Sequence, residues 1–229
     1  MFDENSRDEN FCHETPLALT HLKAVLKQNR TMNLTSIRDI EAGKVLHIED
    51  SLAVLPEIMA APEGPMADLG SGAGFPGIPL ALTTKRKTTL IEANQKKSRF
   101  LQEFLEKHSL TGCISVVALR SEDLARLHPA TFAVITARAV SELPVLLELA
   151  APLLITGGQF VALKGRIDKE ELRRGKLAAD KLGLKEVCVR NYTLSDGTSH
   201  RCVLVFEKQG ESKVVVPRRP GMAAKRPLA

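Results

Sequence analysis

Four glycines lie within eight residues of one another, directly after a carboxylate. They are Gly70, Gly72, Gly74 and Gly77 in the segment ADLGSGAGFPGIPLAL, and Asp68 precedes them. Glycine permits positive φ angles and lets a ligand approach the backbone closely, which is useful in a loop that follows a strand. A structural turn needs only one or two glycines, so four of them predict a ligand-binding loop.

A second carboxylate, Glu92, ends the next apolar segment, TTLIEA, twenty residues after Gly72. A carboxylate in that position accepts hydrogen bonds from the ribose hydroxyls of an adenosine-containing ligand. NAD and S-adenosylmethionine both contain adenosine. Glu92 therefore predicts an adenosine site without choosing between these two cofactors.

Asp68 and two prolines bear on that choice. Beside a pyrophosphate, Asp68 would bring like charges together, whereas it would attract the ammonium and sulfonium groups of S-adenosylmethionine. Pro76 and Pro79 each lack the backbone N–H that a phosphate needs at the start of a helix. The residues therefore favour S-adenosylmethionine. An NAD-dependent oxidoreductase, which the literal G-x-G-x-x-G at 72–77 indicates, is the alternative.

An alternation of strands and helices is expected to position this loop. Apolar, β-branched segments that predict strands alternate with segments of helical periodicity. The predicted strands are 66–68, 88–93, 114–119, 132–140, 157–165, 185–194 and 201–208. This alternation predicts an α/β fold with a doubly wound, mostly parallel, Rossmann-like sheet, and the last two strands predict an antiparallel C-terminal edge hairpin.

Three regions follow from the pattern. Residues 1–62 are expected to form an N-terminal helical extension, residues 63–210 the α/β domain, and residues 211–229 a basic C-terminal tail. Within the extension, Thr35 or Ser36 is expected to cap a helix, because both side chains accept hydrogen bonds from backbone N–H groups.

The positive charge of the chain is concentrated in that tail. The formal net charge is +5, and the last 17 residues contain five basic residues and no acidic one. A localised basic segment is typical of proteins that bind a polyanion, although a solvated tail that only aids solubility has the same composition. The candidate contacts are Arg218, Arg219, Lys225 and Arg226.

Several classes of protein are disfavoured. Cys12, Cys113, Cys188 and Cys202 are too far apart for paired metal ligands, so we expect reduced thiols and no metal. The chain shows no apolar run long enough to span a membrane and no signal-peptide pattern, which favours a cytoplasmic protein without a membrane partner. One tyrosine and no tryptophan make stacking on aromatic platforms a minor route to nucleic acid.

Several motifs together resemble the ribosomal RNA small subunit methyltransferase G family, also called glucose-inhibited division protein B. They are NLTS (33–36), HIEDS (47–51), DLGSGAGFPGIPLA (68–81), KKSRFL (96–101), ARA (137–139), ALKG (162–165) and PRRPG near the C-terminus. The resemblance implies a methyltransferase sheet and S-adenosylmethionine-dependent methylation of guanine N7 in 16S ribosomal RNA. The expected partner is therefore 16S RNA or the small ribosomal subunit, bound by a monomer.

The resemblance also implies cofactor contacts at Gly70, Phe75, Ser121, Glu122 and Arg138, with Ser121 and Glu122 flanking the adenine. Each has a structural alternative: Phe75 as a core side chain, Ser121 as a helix cap, and Glu122 as a favourable charge in a first helical turn. Arg138 stands between apolar residues at a predicted strand end. Burying it without a partner is costly, so a ligand role is preferred to a surface salt bridge.

Guanine N7 carries an available lone pair, so its methylation requires alignment rather than a base. In agreement, the chain has no D-P-P-Y motif after the fourth predicted strand and reads TARAV there. Arg138 and Lys164 are the expected catalytic residues.

His47 and Arg201 are expected to bind the substrate, with the four tail residues named above. His47 is equally explained as a structural residue that ties the extension to the domain. The assignment of Arg201 rests on a reversed pair, since the family commonly has Arg-His where this chain has His200-Arg201. Lys96, Lys97 and Arg99 offer a further basic patch or a solvated helix start. A non-catalytic RNA-binding protein on the same fold is the other alternative.

Overall fold

The computed structural model describes residues 16–138 and 141–229. Cys12, the first residues of the predicted extension, and Ala139 of the ARA motif lie outside the described residues.

A seven-stranded sheet forms the centre of the described structure, in the order β3-β2-β1-β4-β5-β7-β6. Its strands are β1 Met66–Leu69, β2 Thr88–Ile91, β3 Ile114–Val117, β4 Phe132–Arg138, β5 Leu154–Lys164, β6 Leu184–Thr193 and β7 His200–Lys208. β1 to β5 run parallel, and β7 is antiparallel to both β5 and β6. The predicted fold class, with its antiparallel edge hairpin, is confirmed.

Helices cover both faces of this sheet. They are α1 Pro16–Gln28, α2 Ile40–Gly43, α3 Asp50–Leu52, α4 Leu55–Ala60, α5 Gly77–Thr84, α6 Gln95–Lys107, α7 Ser121–Leu127, α8 Leu143–Ala150, α9 Lys169–Lys181 and α10 Met222–Lys225. A π-helical segment, Lys44–Glu49, joins α2 to α3, and a 3-10 turn, Ala151–Leu153, precedes β5.

The sequence periodicity accounts for these layers. In α6, Phe100, Leu101, Phe104 and Leu105 fall on one face and are buried, and Asn94 caps the helix by accepting hydrogen bonds from two backbone N–H groups. The same apolar cluster contains residues of α1 and α5. The N-terminal helix therefore packs against the helices that flank the glycine loop.

The cap predicted in the extension is wrong. Asp39 caps α2, since its Oδ2 accepts a hydrogen bond from the Ala42 N–H at 2.8 Å. The Thr35 hydroxyl instead accepts from the Ile37 N–H at 3.1 Å, two residues on, and so stabilises a turn. A side chain that can bond its own backbone in either way does not fix the helix start by its type alone.

Residues 211–229 lie against the α/β body. Lys213 forms an ion pair with Asp180 of α9 at 2.8 Å, and Arg218 forms one with Glu148 of α8. The division of the chain at residues 62 and 210 stays a prediction.

Candidate active site

Two cavities open at the carboxyl ends of the parallel strands, and Gly70 lines both of them. The larger, here called the cleft, has a volume of about 760 Å³ and mixed polar and apolar walls. The smaller, here called the apolar pocket, has a volume of about 200 Å³. The glycine loop thus stands between a small cavity and a large one, at the place where open α/β sheets bind ligands.

Steric constraints explain two of the loop glycines. Gly72 has a φ of +57°, which side chains rarely adopt, and a Cβ there would meet only a backbone oxygen at 3.8 Å. Gly77 begins α5, where a Cβ would lie 2.5 Å from Leu90 Cδ2 and 2.8 Å from Asp68 Oδ2. Gly72 leaves the backbone open towards the cleft, and Gly77 allows α5 to pack directly on β1 and β2.

Asp68 lies beneath this loop and is 1% exposed. Its Oδ2 accepts a hydrogen bond from the Gly77 N–H at 3.2 Å, and its Oδ1 accepts one from the Thr136 hydroxyl at 3.1 Å. Burial raises the pKa of Asp68 to about 6, although its hydrogen bonds to Ser71, Thr136 and Gly77 oppose the shift. The observed role is to hold the loop against β4, and the predicted contact with a cofactor stays a prediction.

Glu92, in contrast, lines the cleft. Its Oε2 accepts a hydrogen bond from the Gly72 N–H at 2.8 Å, and its Oε1 accepts one from the Asn94 N–H at 2.7 Å. Each carboxylate oxygen has a second lone pair. Both oxygens can therefore accept ribose hydroxyls while the backbone holds the side chain in place.

Arg138, at the end of β4, belongs to a largely buried charge cluster in the cleft. Its guanidinium donates hydrogen bonds to Asp50 Oδ2, His47 Nδ1 and the Leu46 carbonyl oxygen, each at 3.0 Å. Asp50 Oδ1 also accepts from Arg201 Nε at 3.1 Å. Burial lowers the pKa of Arg138, and the carboxylate of Asp50 opposes that shift. Asp50 therefore joins the predicted residues Arg138 and Arg201 in one site.

His47 stacks on Phe75, with ring centroids 4.6 Å apart and planes 7° apart. Because Arg138 donates to Nδ1, the proton of the neutral ring lies on Nε2, which donates to the Thr35 hydroxyl at 2.9 Å. Burial lowers the pKa of His47 to about 3, and the charge of Arg138 adds to that shift. The π-helical segment thus delivers an uncharged ring to the cleft wall beside Phe75.

Further cationic side chains line the cleft. Lys164 pairs with Glu171 at 2.7 Å and donates to the Ser141 carbonyl oxygen at 2.9 Å. Lys97 and Arg166 also line the cleft, and neither has a carboxylate partner among residues 16–138 and 141–229. The sequence interpretation missed Arg166, for which no local signal exists.

The apolar pocket contains the other predicted cofactor residues, Ser121 and Glu122. Both begin α7 and are buried. The Ser121 hydroxyl donates to Glu122 Oε2 at 3.3 Å, and Glu122 Oε1 accepts from the Gly221 N–H at 2.8 Å. Ser121 is therefore not a side-chain cap of α7, and the predicted contact of both residues with an adenine stays a prediction.

The basic residues of the tail lie away from the cleft. Arg218 is held by Glu148, whereas Arg219, Lys225 and Arg226 are exposed. Their predicted contact with RNA stays a prediction, and Arg218 has an observed structural partner.

His21 of α1 is a loop contact that the sequence did not reveal. It is fully buried, and its Nε2–H donates to the Ala73 carbonyl oxygen at 2.8 Å. The ring also packs on Phe75, at 4.5 Å between centroids, and a Cβ on Gly74 would lie 2.9 Å from Nε2. The N-terminal helix therefore holds the glycine loop through one histidine.

The two buried histidines predict a specific pH dependence of stability. Burial lowers the pKa of His21 and His47 to about 3 each, from 6.5. The unfolded chain binds protons between these values and the folded chain does not, so stability is full above pH 6.5 and falls as the pH drops towards 3. Asp68 acts in the opposite direction, because its raised pKa adds stability that is lost as pH rises through about 6.

Replacing His21 by phenylalanine removes the contribution of this histidine to the pH dependence of stability. Between pH 8 and pH 5 the free energy of unfolding is expected to fall by about 2 kcal/mol less in His21→Phe than in the native chain. Urea titrations at four pH values measure the difference. An identical pH dependence in the two proteins would contradict the buried, neutral state of His21.

Within the described ranges, no cluster of three or more potential ligands is placed to hold a metal ion. Each helix of the described residues is too short or too polar to span a lipid bilayer.

Comparison with known proteins gives a consistent result. A family model described as rRNA small subunit methyltransferase G matches residues 15–198. A protein of that name from Desulfitobacterium hafniense is 37% identical over 207 residues, which cover 89% of this chain and 85% of that protein. The protein of the same name from Deinococcus radiodurans is also 37% identical, over 94% of this chain and 86% of its own.

Solved structures of methyltransferases share the fold. Geranyl diphosphate methyltransferase in complex with GPP and sinefungin superposes with a TM-score of 0.56 and 15% identity, over 70% of this chain and 77% of that one. TYW2 from M. jannaschii in complex with AdoMet superposes with a TM-score of 0.52 and 19% identity, over 69% of this chain and 76% of that one.

Proposed function

Because the chain belongs to the rRNA small subunit methyltransferase G family, we propose that it transfers a methyl group from S-adenosylmethionine to N7 of one guanine in 16S ribosomal RNA. One observation carries the proposal: the glycine loop joins a small apolar pocket to a wide cationic cleft. A cofactor with an adenine at one end and a reactive group at the other requires such a pair of spaces.

The residues present fit this cofactor. The apolar pocket has a few polar side chains among mostly apolar ones, in keeping with sites for a flat base: Arg120, Ser121, Glu122 and Ser141. Glu92 would hold the ribose, and Gly70 and Gly72 would let the backbone approach the sugar and the methionine portion. When bound, the cofactor supplies an electrophilic methyl group.

The remaining work of the chain is to place the guanine and exclude water. N7 attacks with its own lone pair, so no side chain has to remove a proton. The Nε of Arg201 donates a hydrogen bond to Asp50, and its Nη1 donates one to the His200 carbonyl oxygen. Its Nη2 has no hydrogen bond within the described residues. Guanine presents O6 and N7 as acceptors. We assign Arg201 as the hydrogen-bond donor to guanine O6, which leaves N7 available. We assign Arg138 to the positioning of His47 and Phe75 beside the guanine.

Lys97 and Arg166 would bind the flanking phosphates, since each lines the cleft and has no carboxylate partner within the described residues. Such contacts give affinity rather than sequence selection and weaken with salt. Arg219, Lys225 and Arg226 would extend this surface. Lys164 is already paired with Glu171, and its predicted catalytic role stays a prediction. We further propose that the protein acts as a monomer in the cytoplasm, without a metal, on 16S RNA or the small subunit. Light scattering with and without subunits tests the oligomeric state.

Labelled methyl transfer tests the function. The protein is incubated with methyl-labelled S-adenosylmethionine and unmodified small subunits, and cofactor binding is measured separately by calorimetry. Loss of Arg201 in Arg201→Ala is expected to reduce transfer by about 100-fold, because one donor to the reacting base is removed. The control Arg173→Ala removes an exposed ion pair on α9 and should transfer at the native rate.

The outcomes separate the alternatives. Cofactor binding without label in subunits or free 16S RNA would refute the proposed substrate. Binding of NAD in place of S-adenosylhomocysteine would favour the oxidoreductase, and RNA binding with no cofactor binding would favour a non-catalytic RNA-binding protein.

A further inference from the structure

The end of the chain is anchored near the apolar pocket by a set of specific hydrogen bonds. Residues 217–226, here called the clasp, contain Arg218, which forms a double hydrogen bond with the buried carboxylate of Glu148 at 2.6 and 2.5 Å. The same guanidinium donates to the Arg226 carbonyl oxygen at 2.7 Å. Arg126 of α7 donates to the Arg218 carbonyl oxygen at 2.7 Å. Bidentate, charge-assisted bonds of this kind fix both position and orientation.

The clasp also supplies part of the lining of the apolar pocket. Gly221, Ala223 and Ala224 line it together with Ser121 and Glu122. The Gly221 N–H donates to Glu122 Oε1 at 2.8 Å, so the clasp and a predicted adenine contact are directly bonded. Ala223 is 2% exposed, and Ala224 lies at the exposed rim.

The residue types of the clasp suit a wall around a flat ring. Three small residues stand where a larger side chain would occupy a cavity of only about 200 Å³. Small apolar side chains permit close contact with a planar base and contribute no competing hydrogen bonds. The basic residues of the tail have two different environments. Arg218 forms an ion pair with Glu148 inside the protein, whereas Arg219, Lys225 and Arg226 are exposed.

We propose that the clasp forms one wall of the adenine subsite, so that the last residues of the chain determine affinity for the cofactor. This inference rests on the proposed function, because it takes the occupant of the apolar pocket to be the adenine of S-adenosylmethionine. Arg218 is then a positioning residue: it holds the wall through Glu148 and does not touch the cofactor.

Calorimetry with the full chain and S-adenosylhomocysteine tests the clasp. Ala224→Phe places a large ring at the rim of the apolar pocket and is expected to raise the Kd for S-adenosylhomocysteine by about tenfold or more. The matched control is Lys225→Phe, which adds the same ring at the next, exposed position that does not line the pocket. It should leave the Kd unchanged. Both positions are at the surface, and equal melting temperatures verify that both variants fold.

A second probe identifies the end of the cofactor that is affected. 5′-Methylthioadenosine shares the adenosine of S-adenosylhomocysteine and lacks its amino-acid portion. Ala224→Phe should weaken both ligands by the same factor and should raise the KM for S-adenosylmethionine with an unchanged KM for the RNA.

The results distinguish a failure of the clasp inference from a failure of the proposed function. If the native protein binds neither ligand, the proposed function fails. If the native protein binds both and Ala224→Phe binds them equally well, the clasp inference fails and the proposed function stands. A loss confined to S-adenosylhomocysteine would also overturn the inference, because it would place the substitution at the amino-acid end.

Discussion

Replacing Asp50 by alanine is expected to lower the free energy of unfolding by about 3 to 5 kcal/mol and to slow methyl transfer by about 100-fold. Asp50 is 4% exposed and accepts hydrogen bonds from both Arg138 and Arg201. Its removal leaves two arginines close together without the carboxylate that balances them, one of them largely buried. The same change frees Arg201 to move and so loosens its contact with guanine.

Chemical denaturation and labelled methyl transfer measure the two effects of Asp50→Ala. Glu170→Ala is the matched control, since Glu170 also pairs with an arginine but is 60% exposed, and it should behave as the native protein does. The double variant Asp50→Leu/Arg138→Met should be more stable than Asp50→Ala, because it removes the buried carboxylate together with Arg138, the more buried of its two arginine partners. If Asp50→Ala is as stable as the native protein, the stabilising role assigned to Asp50 in the charge cluster is wrong.

Replacing Gly77 by alanine is expected to destabilise the protein by about 1 to 3 kcal/mol and to weaken cofactor binding by about tenfold. A Cβ at this position would lie 2.8 Å from both Cβ and Oδ2 of Asp68 and 2.5 Å from Leu90 Cδ2. The Leu90 methyl group can turn away, but Asp68 is fixed by Thr136 and by the Gly77 N–H itself. Asp68 must shift, and the loop that it holds must shift with it.

A second glycine provides the control. Gly112 has no atom within 4 Å of its ideal Cβ, so Gly112→Ala should be neutral or slightly stabilising. Denaturation curves and calorimetry with S-adenosylhomocysteine compare the two variants. If Gly77→Ala instead gains about 1 kcal/mol, as helix propensity alone predicts, then the steric account of this position is wrong.

The sequence predicted the fold because its signals are local. Alternating strand and helix segments define a parallel sheet, and four glycines after Asp68 mark the loop at its edge. Glu92 directly follows β2 and lines the cleft, because its distance along the chain from the loop reflects one βαβ unit, and its contact with a ribose stays a prediction.

The charge network was only half predictable. The cost of burying Arg138 without a partner pointed to an interaction, but the partner, Asp50, lies 88 residues earlier on a different element. Such pairings are set by tertiary packing. Arg218 illustrates the same limit, since composition counts its charge and does not show that Glu148 already balances it.

Asp68 has a structural role that the electrostatic argument did not reveal, and its predicted contact with the cofactor stays a prediction. The preference of a carboxylate for a cation over a pyrophosphate holds, yet the side chain lies under the loop and bonds Gly77 and Thr136. In a half-buried strand, an alternation of apolar and polar residues shows which face of the sheet each side chain takes. Because every residue of β1 is buried, its sequence has no such alternation, and the face taken by Asp68 could not be predicted.

Mapping the methylated atom in the RNA tests the proposed function most directly. Small subunits lacking the modification are incubated with the protein and S-adenosylmethionine, and the 16S RNA is then cleaved chemically at N7-methylguanine and read by primer extension. The proposed function predicts one new stop, at a single guanine, that is lost with Arg201→Ala and retained with Arg173→Ala. Methylation of an exocyclic amine or a ribose hydroxyl, or label found in the large-subunit RNA, would contradict it.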